Sequence, residues 1–132
     1  MSSAVCEDAG QMLAGHLATL SDVTDLVSDH IYTVGDEPDG PGGWGIQCIE
    51  IDADRFSRVL LRTALVQVTV FSIDRDWNRE VSGIVLRNLA RFSGYMGTKW
   101  VTVSHENEIE TSEQIGAVYR WAYSIDMALR YK

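Results

Sequence analysis

The closing segment of the chain, YRWAYSIDMALRY at residues 119–131, constrains the fold most strongly. Large apolar side chains alternate there with polar or small ones along the whole segment. Successive side chains of a β-strand point to opposite faces of a sheet, so such alternation indicates a strand with one buried face. We therefore predict one long antiparallel strand whose other face meets water. The apolar side is formed by Tyr119, Trp121, Tyr123, Ile125, Met127, Leu129 and Tyr131.

The rest of the chain supplies further helices and strands. Apolar residues at three- and four-residue spacing predict helices at about 7–20, 21–35 and 76–94, the last capped by Asp76. Alternation and β-forming residues predict strands at 46–52, 64–71 and 100–104, and HENEIETSEQ at 105–114 is predicted to be a polar linker. This order predicts a single α+β domain over residues 1–132. Its helices are expected to pack on one face of a mainly antiparallel sheet of about four strands.

Length and composition limit the class of protein. A chain of 132 residues with 45% hydrophobic residues can bury one core. It has neither an apolar run of membrane-spanning length nor the basic and apolar start of a secretion signal, so we expect it to stay in the cytoplasm. The cysteines, Cys6 and Cys48, match no disulfide or zinc spacing and are interpreted as reduced, buried thiols.

Neither catalysis nor tight nucleic-acid binding is indicated by the residues. The net charge of −8 has the wrong sign for a surface that binds phosphates. His16, His30 and His105 lie far apart, and none has a histidine or cysteine at metal-ligand spacing. The chain also lacks the G-x-S-x-G motif that presents a nucleophilic serine. We therefore predict a binding protein with no catalytic residue, no metal site and no cofactor.

The segment GDEPDGPGGWG at residues 35–45 is predicted to be a long loop, because it contains both prolines and several glycines of the chain. It leads into a strand and has no lysine, unlike loops that cradle phosphates. Acidic residues in and after it could bind a hard cation, although a solvated acidic loop is the simpler interpretation. They are Asp36, Glu37, Asp39, Asp52 and Asp54.

Trp44 is the large aromatic residue that the predicted core explains least. It lies in the loop, and aromatic residues are favoured in protein interfaces because they bury much area at small entropic cost. We predict that Trp44 buries its ring against another protein, so that its removal affects assembly more than folding. Trp121 and Tyr123, in contrast, are interpreted as covering the sheet.

Three segments resemble the tail-terminator and tail-completion proteins of long-tailed bacteriophages. They are the leading helix pair that ends in DHIYTVGDEP, the strand VQVTVFSID with the helix REVSGIVLRNLARFSG, and the closing strand YRWAYSIDMALRY. The resemblance covers most of the chain and concerns the order of elements more than individual residues.

The resemblance implies a subunit of a ring, commonly six-fold, that caps the tail tube and joins it to the head-side connector. Its partners would be other copies of itself, the tail-tube protein and the connector proteins, in the tail or neck of a virion assembled in the host cytoplasm. DNA would pass through the ring without specific binding, which acidic walls would permit. The loop 35–45 and the connection from Asp52 through Asp54 and Arg55 to Arg58 would contact neighbouring proteins.

Other interpretations remain open at the level of sequence. The chain could be another neck, head-completion or tail-tube protein. It could also be a small bacterial enzyme or ligand-binding domain with its pocket between the sheet and the helices.

Overall fold

The computed structural model describes residues 8–33, 44–53, 61–90, 92–97, 99–106, 111–115 and 118–130. Within them the chain forms three helices and seven strands. The helices are α1 (Ala9–Leu17), α2 (Ser21–Val27) and α3 (Arg75–Leu89). The strands are β1 (Ile31–Tyr32), β2 (Gly45–Ala53), β3 (Leu61–Ser72), β4 (Ser93–Met96), β5 (Lys99–Glu106), β6 (Thr111–Ile115) and β7 (Val118–Arg130).

All seven strands belong to one curled sheet, in the order β1-β2-β3-β7-β5-β4, with β6 also paired to β7. β5 pairs with residues 125–130 of β7 and β6 with residues 118–122. Because β3 occupies the other edge of β7, β5 and β6 follow one another along the same edge, and the sheet is six strands wide. β1 and β2 are parallel, whereas the other described pairs are antiparallel.

The predicted fold, a mainly antiparallel sheet of about four strands with helices packed on one face, is therefore wrong. The structure has a wider, mixed and curled sheet. The four predicted strands are present, but β1, β4 and β6 were missed. β1 has two residues, β4 contains Gly94, which was expected to end a helix, and β6 lies in the supposed polar linker. Short strands like these are held by backbone pairing with a neighbour, so their side chains need not show a hydrophobic period.

The core lies between the helices and one face of the sheet. β3 and β7 pair along twelve positions, and their inward residues are almost completely buried, as at Val66 opposite Ile125 and Val68 opposite Tyr123. α1 contacts both β2 and β4, which lie towards opposite edges of the sheet, so the sheet curls around this helix. α3 contacts β3, β7 and β5, and α2 packs beside α3.

α3 begins two residues earlier than predicted. Asp74, not Asp76, is the N-cap, because its Oδ1 accepts hydrogen bonds from the backbone N–H of Asp76 at 2.9 Å and of Trp77 at 3.3 Å. The helix ends at Leu89, so Phe92 lies outside it and its ring lies 4.7 Å from that of His16. The amphipathic period was predicted correctly, but the ends are set by local capping.

Candidate interaction surface

The two segments predicted to contact neighbours adjoin opposite ends of β2. The loop 35–45 leads into Gly45, where β2 begins, and the second segment continues from Ala53, where β2 ends. A strand advances about 3.3 Å per residue, so these ends are about 26 Å apart. Asp52 lies within β2 and pairs with Leu65 just after a bulge. Most residues of the predicted set lie outside the described residues, namely Asp36, Glu37, Asp39, Asp54, Arg55 and Arg58.

Trp44 packs against its own domain. Its ring stacks on that of His30 with a centroid distance of 3.6 Å and an angle of 9°, and meets Trp77 edge-on at 5.7 Å. His30 Nδ1 also lies 3.1 Å from the backbone oxygen of Trp44. The side chain is half-buried and borders the hydrophobic core. An interface role for Trp44 stays a prediction, but a structural role is already visible.

We expect Trp44→Ala to lower the free energy of unfolding by about 2 kcal/mol, because it removes a stacked, half-buried aromatic ring. Tyr95→Ala is a matched control, since Tyr95 is 56% exposed. Its ring meets that of Trp100 edge-on at 5.1 Å, so its loss should cost about 1 kcal/mol or less. Urea denaturation of the two variants measures both values. Equal, small losses would show that the contacts of Trp44 contribute little to folding.

A second group of residues, of types that are common in protein interfaces, lies at the end of the sheet where Trp44 lies. Here β3 is followed by α3. Arg75 and Arg79 of α3 lie over the rings of Tyr119 and Trp121, at 5.5 and 5.9 Å from the ring centres. Ile73, beside them in the chain, is 67% exposed. Ile73, Arg75, Arg79 and Tyr119 line one shallow concavity together with Asp74 and Asp76, and we call these six residues the arginine–tyrosine surface. Arginine and tyrosine are frequent anchors of protein interfaces.

Sequence reasoning missed this surface. Arg75 precedes the predicted helix and only Arg79 lies within it, so the sequence did not place the two arginines on one side of a helix, and nothing in their spacing shows which strand they face. Stacking on an aromatic ring holds each guanidinium near one position and contributes about 0.5–1 kcal/mol at an exposed site. On the opposite face of β7, Arg120 lies over Phe71 at 5.5 Å. The arginines therefore surround this end of the β3–β7 pair.

An open groove between α1 and β4 is the second concave feature. Its lining includes Asp8, His16, Thr19 and Tyr95. Burial lowers the pKa of His16, which favours the neutral imidazole at neutral pH. Among the described residues, no three histidine, cysteine or acidic side chains are grouped as a metal site would require. This groove between a helix and the sheet is the kind of site that the ligand-binding alternative requires.

The prediction of a buried thiol is confirmed for Cys48, whereas Cys6 lies outside the described residues. Burial raises the pKa of the Cys48 thiol to about 12, so it stays protonated and unreactive at neutral pH. Trp121 and Tyr123 are buried against the sheet, as predicted. No described helix has the length and apolarity needed to cross a membrane.

Comparisons with known proteins define the fold. No protein-family model matches the chain, and no curated protein matches its sequence. Among solved structures, a chain from the virion of a native gene transfer agent particle superposes with a TM-score of 0.74 at 12% identity. The match covers 98% of this chain and 100% of that one. A second solved chain matches with a TM-score of 0.56 at 16% identity, over 92% of this chain and 96% of the other. The similarity therefore extends over essentially the whole domain.

Proposed function

We propose that this chain is a structural protein of a bacteriophage-like virion, without enzymatic activity. The observation that carries the proposal is the near-complete match of the fold to a chain of a gene transfer agent virion, a phage-like particle. The resemblance of the helix pair, the β3–α3 unit and the closing strand to tail-terminator proteins supports the same class independently.

Within that class, we propose a ring subunit that caps the tail tube and joins it to the head-side connector. A closed ring of identical subunits needs two different, complementary surfaces on each subunit. The two predicted contact segments adjoin opposite ends of β2, which supports such an arrangement. Neighbouring copies, the tail-tube protein and the connector proteins are the proposed partners, in the tail or neck of the particle. DNA would pass through without specific binding, because a protein of net charge −8 releases few phosphate counterions.

We expect the purified protein at high concentration, or the protein docked on its tail, to have the mass of a closed ring, with six subunits as the leading expectation. Analytical ultracentrifugation and native mass spectrometry measure this for the free protein. Electron microscopy of purified particles measures it in place. A strict monomer in both settings contradicts the ring.

The copy number per particle separates the proposed role from its alternatives. A terminator contributes one ring at the end of the tail tube, whereas a tail-tube protein contributes many rings along it. Quantitative mass spectrometry of purified particles distinguishes the two, and localisation to the head end distinguishes another neck protein. A small-molecule ligand found in the groove of α1 and β4, with the protein absent from particles, would favour the ligand-binding alternative.

A further inference from the structure

β4 is an edge strand of the sheet, because among the described residues it pairs with β5 alone. The backbone N–H of Val103 donates a hydrogen bond to the carbonyl oxygen of Phe92 at 2.9 Å, and hydrogen-bonded pairs alternate along an antiparallel ladder. The backbone N–H and C=O groups of Ser93 and Tyr95, at the intervening positions, therefore point away from β5. An edge of this kind can pair with one more strand.

α1 lies beside this edge and forms the other wall of the groove. From Gln11 to Thr19 the helix advances about 12 Å. The four residues of β4 advance about 13 Å, so the two walls have nearly the same length. The groove has a volume of about 710 Å³. Its shape therefore suits an extended segment of about four residues, which would lie between the helix and the edge strand.

Gly15 keeps the middle of the helical wall open. A Cβ atom at Gly15 would meet nothing within 4 Å, so the fold itself does not require glycine there. Glycine weakens a helix interior relative to alanine, and it is favoured where another backbone approaches closely. Gly83 of α3 has the same free space, but it is not among the described residues that line either concavity. The space above Gly15 is therefore available to a second chain.

The described walls of the groove have little charge. Asp8 is their one acidic or basic residue apart from His16, and it lies at the end where α1 begins. Burial lowers the pKa of His16, which favours the neutral imidazole at neutral pH. A segment with charged side chains would lose hydration in the groove and would find an opposite charge at one end at most. The other lining residues are Gln11, Met12, Gly15, Thr19, Tyr95, Met96 and Gly97.

We propose that the groove between α1 and β4 binds an extended, uncharged segment of a different protein of the particle, which adds a strand to the edge of β4. This rests on the proposed virion function. The free backbone groups of Ser93 and Tyr95 fit an extended partner, and the weakly charged walls fit an uncharged one. Tyr95, which is 56% exposed, supplies aromatic area of the kind that protein interfaces bury.

The described strands of this chain are an unsuitable source of the segment. Each of them is already paired within its own sheet. A second copy would have to withdraw a strand from that sheet to place it in the groove. The segment is therefore assigned to a different protein.

Filling the groove tests the site. The indole of Gly15→Trp would occupy the space between α1 and β4, and we expect about tenfold fewer copies of this variant per particle than of the wild type. Gly83→Trp is the matched control, since it adds the same side chain to another open helical position, and it should be incorporated normally. Quantitative mass spectrometry of particles measures both, and circular dichroism melting confirms that each variant is folded. Normal incorporation of Gly15→Trp, or equal losses for both variants, would overturn the proposed site.

The strand pairing is tested separately by Tyr95→Pro and Tyr95→Ala. Both variants remove the ring, but only proline removes the backbone N–H that points away from β5, and an edge strand tolerates proline at such a position. We expect about fivefold fewer copies of Tyr95→Pro than of Tyr95→Ala per particle. Equal copy numbers of the two folded variants would contradict the added strand.

Photo-cross-linking identifies the occupant. A benzophenone amino acid in place of Gly15 should cross-link, in purified particles, to a different protein at a segment with at least four consecutive uncharged residues, whereas the same group at position 83 should not. Cross-links to this chain, in the same or a second copy, or to a charged segment, would overturn the proposed occupant. Absence of the wild-type protein from particles would instead remove the virion function itself.

Discussion

Replacement of Gly10 by alanine is expected to lower the free energy of unfolding by about 3 kcal/mol, near the upper end of the usual cost of overpacking. Gly10 lies in the first turn of α1, where the helix meets the backbone of β2. A Cβ atom there would lie 2.8 Å from the carbonyl oxygen of Cys48 and 2.9 Å from the backbone nitrogen of Glu50. Because both atoms belong to the paired strand β2, they cannot move aside without disturbing the sheet.

The close approach at Gly10 also positions the start of the helix. The backbone N–H of Ala9 donates a hydrogen bond to Glu50 Oε1 at 2.9 Å, which places a carboxylate at the positive end of α1. Displacement of α1 would weaken this bond and the packing of Leu13 and Leu17, which are completely buried. The loss of unfolding free energy in Gly10→Ala therefore has two causes, namely the steric strain at the contact with β2 and the weakened packing of α1.

Gly15→Ala is the matched control on the same helix. A Cβ at Gly15 meets nothing within 4 Å, so alanine should stabilise the protein by about 0.5–1 kcal/mol through its higher helix propensity. Denaturant unfolding should therefore show changes of opposite sign for the two glycine substitutions. Two stabilising changes would mean that α1 does not approach β2 as closely as described.

The second large effect is expected at Asn78, a completely buried residue that joins α3 to two strands. Its Oδ1 accepts a hydrogen bond from Ser72 Oγ at 2.6 Å, and its Nδ2 donates one to the carbonyl oxygen of Tyr119 at 3.0 Å. Asn78→Asp keeps the shape but replaces the donor with a carboxylate oxygen that faces the carbonyl. We expect a loss of about 3–5 kcal/mol at pH 7, because a buried negative charge then faces the carbonyl oxygen of Tyr119, although Ser72 still donates to its other oxygen.

The pH dependence identifies the cause of this loss. Burial should raise the pKa of the introduced carboxyl above its value in the unfolded chain. The folded state of the variant would then bind a proton more tightly, so its deficit relative to wild type should shrink as the pH falls towards 4. Asn78→Ala, which introduces no charge, should cost about 2 kcal/mol with no such trend. A deficit for Asn78→Asp that is constant with pH would contradict the buried-charge explanation.

The residues of the candidate surface show which features could be predicted from the sequence and which could not. Trp44 was identified in the sequence as an unusual aromatic residue in a glycine-rich segment. The side chains that its ring contacts could not be predicted. His30 and Trp77 lie 14 and 33 positions away, and only the pairing of β1 with β2 and the packing of α3 bring their rings to Trp44. Arg75 and Arg79 were not singled out in the sequence, because the helix was predicted to begin after Arg75 and only the position of β7 places aromatic rings beneath them.

The sequence by itself determined the elements whose side chains repeat with a clear period. The alternation in β3 and β7 and the helical spacing in α1 and α3 were sufficient, because burial of one face imposes that period on the residues themselves. Only the tertiary structure decided the width and curl of the sheet, the parallel pairing of β1, and the presence of β4 and β6. Those features depend on backbone hydrogen bonds to distant strands, and the backbone is the same whatever the side chain.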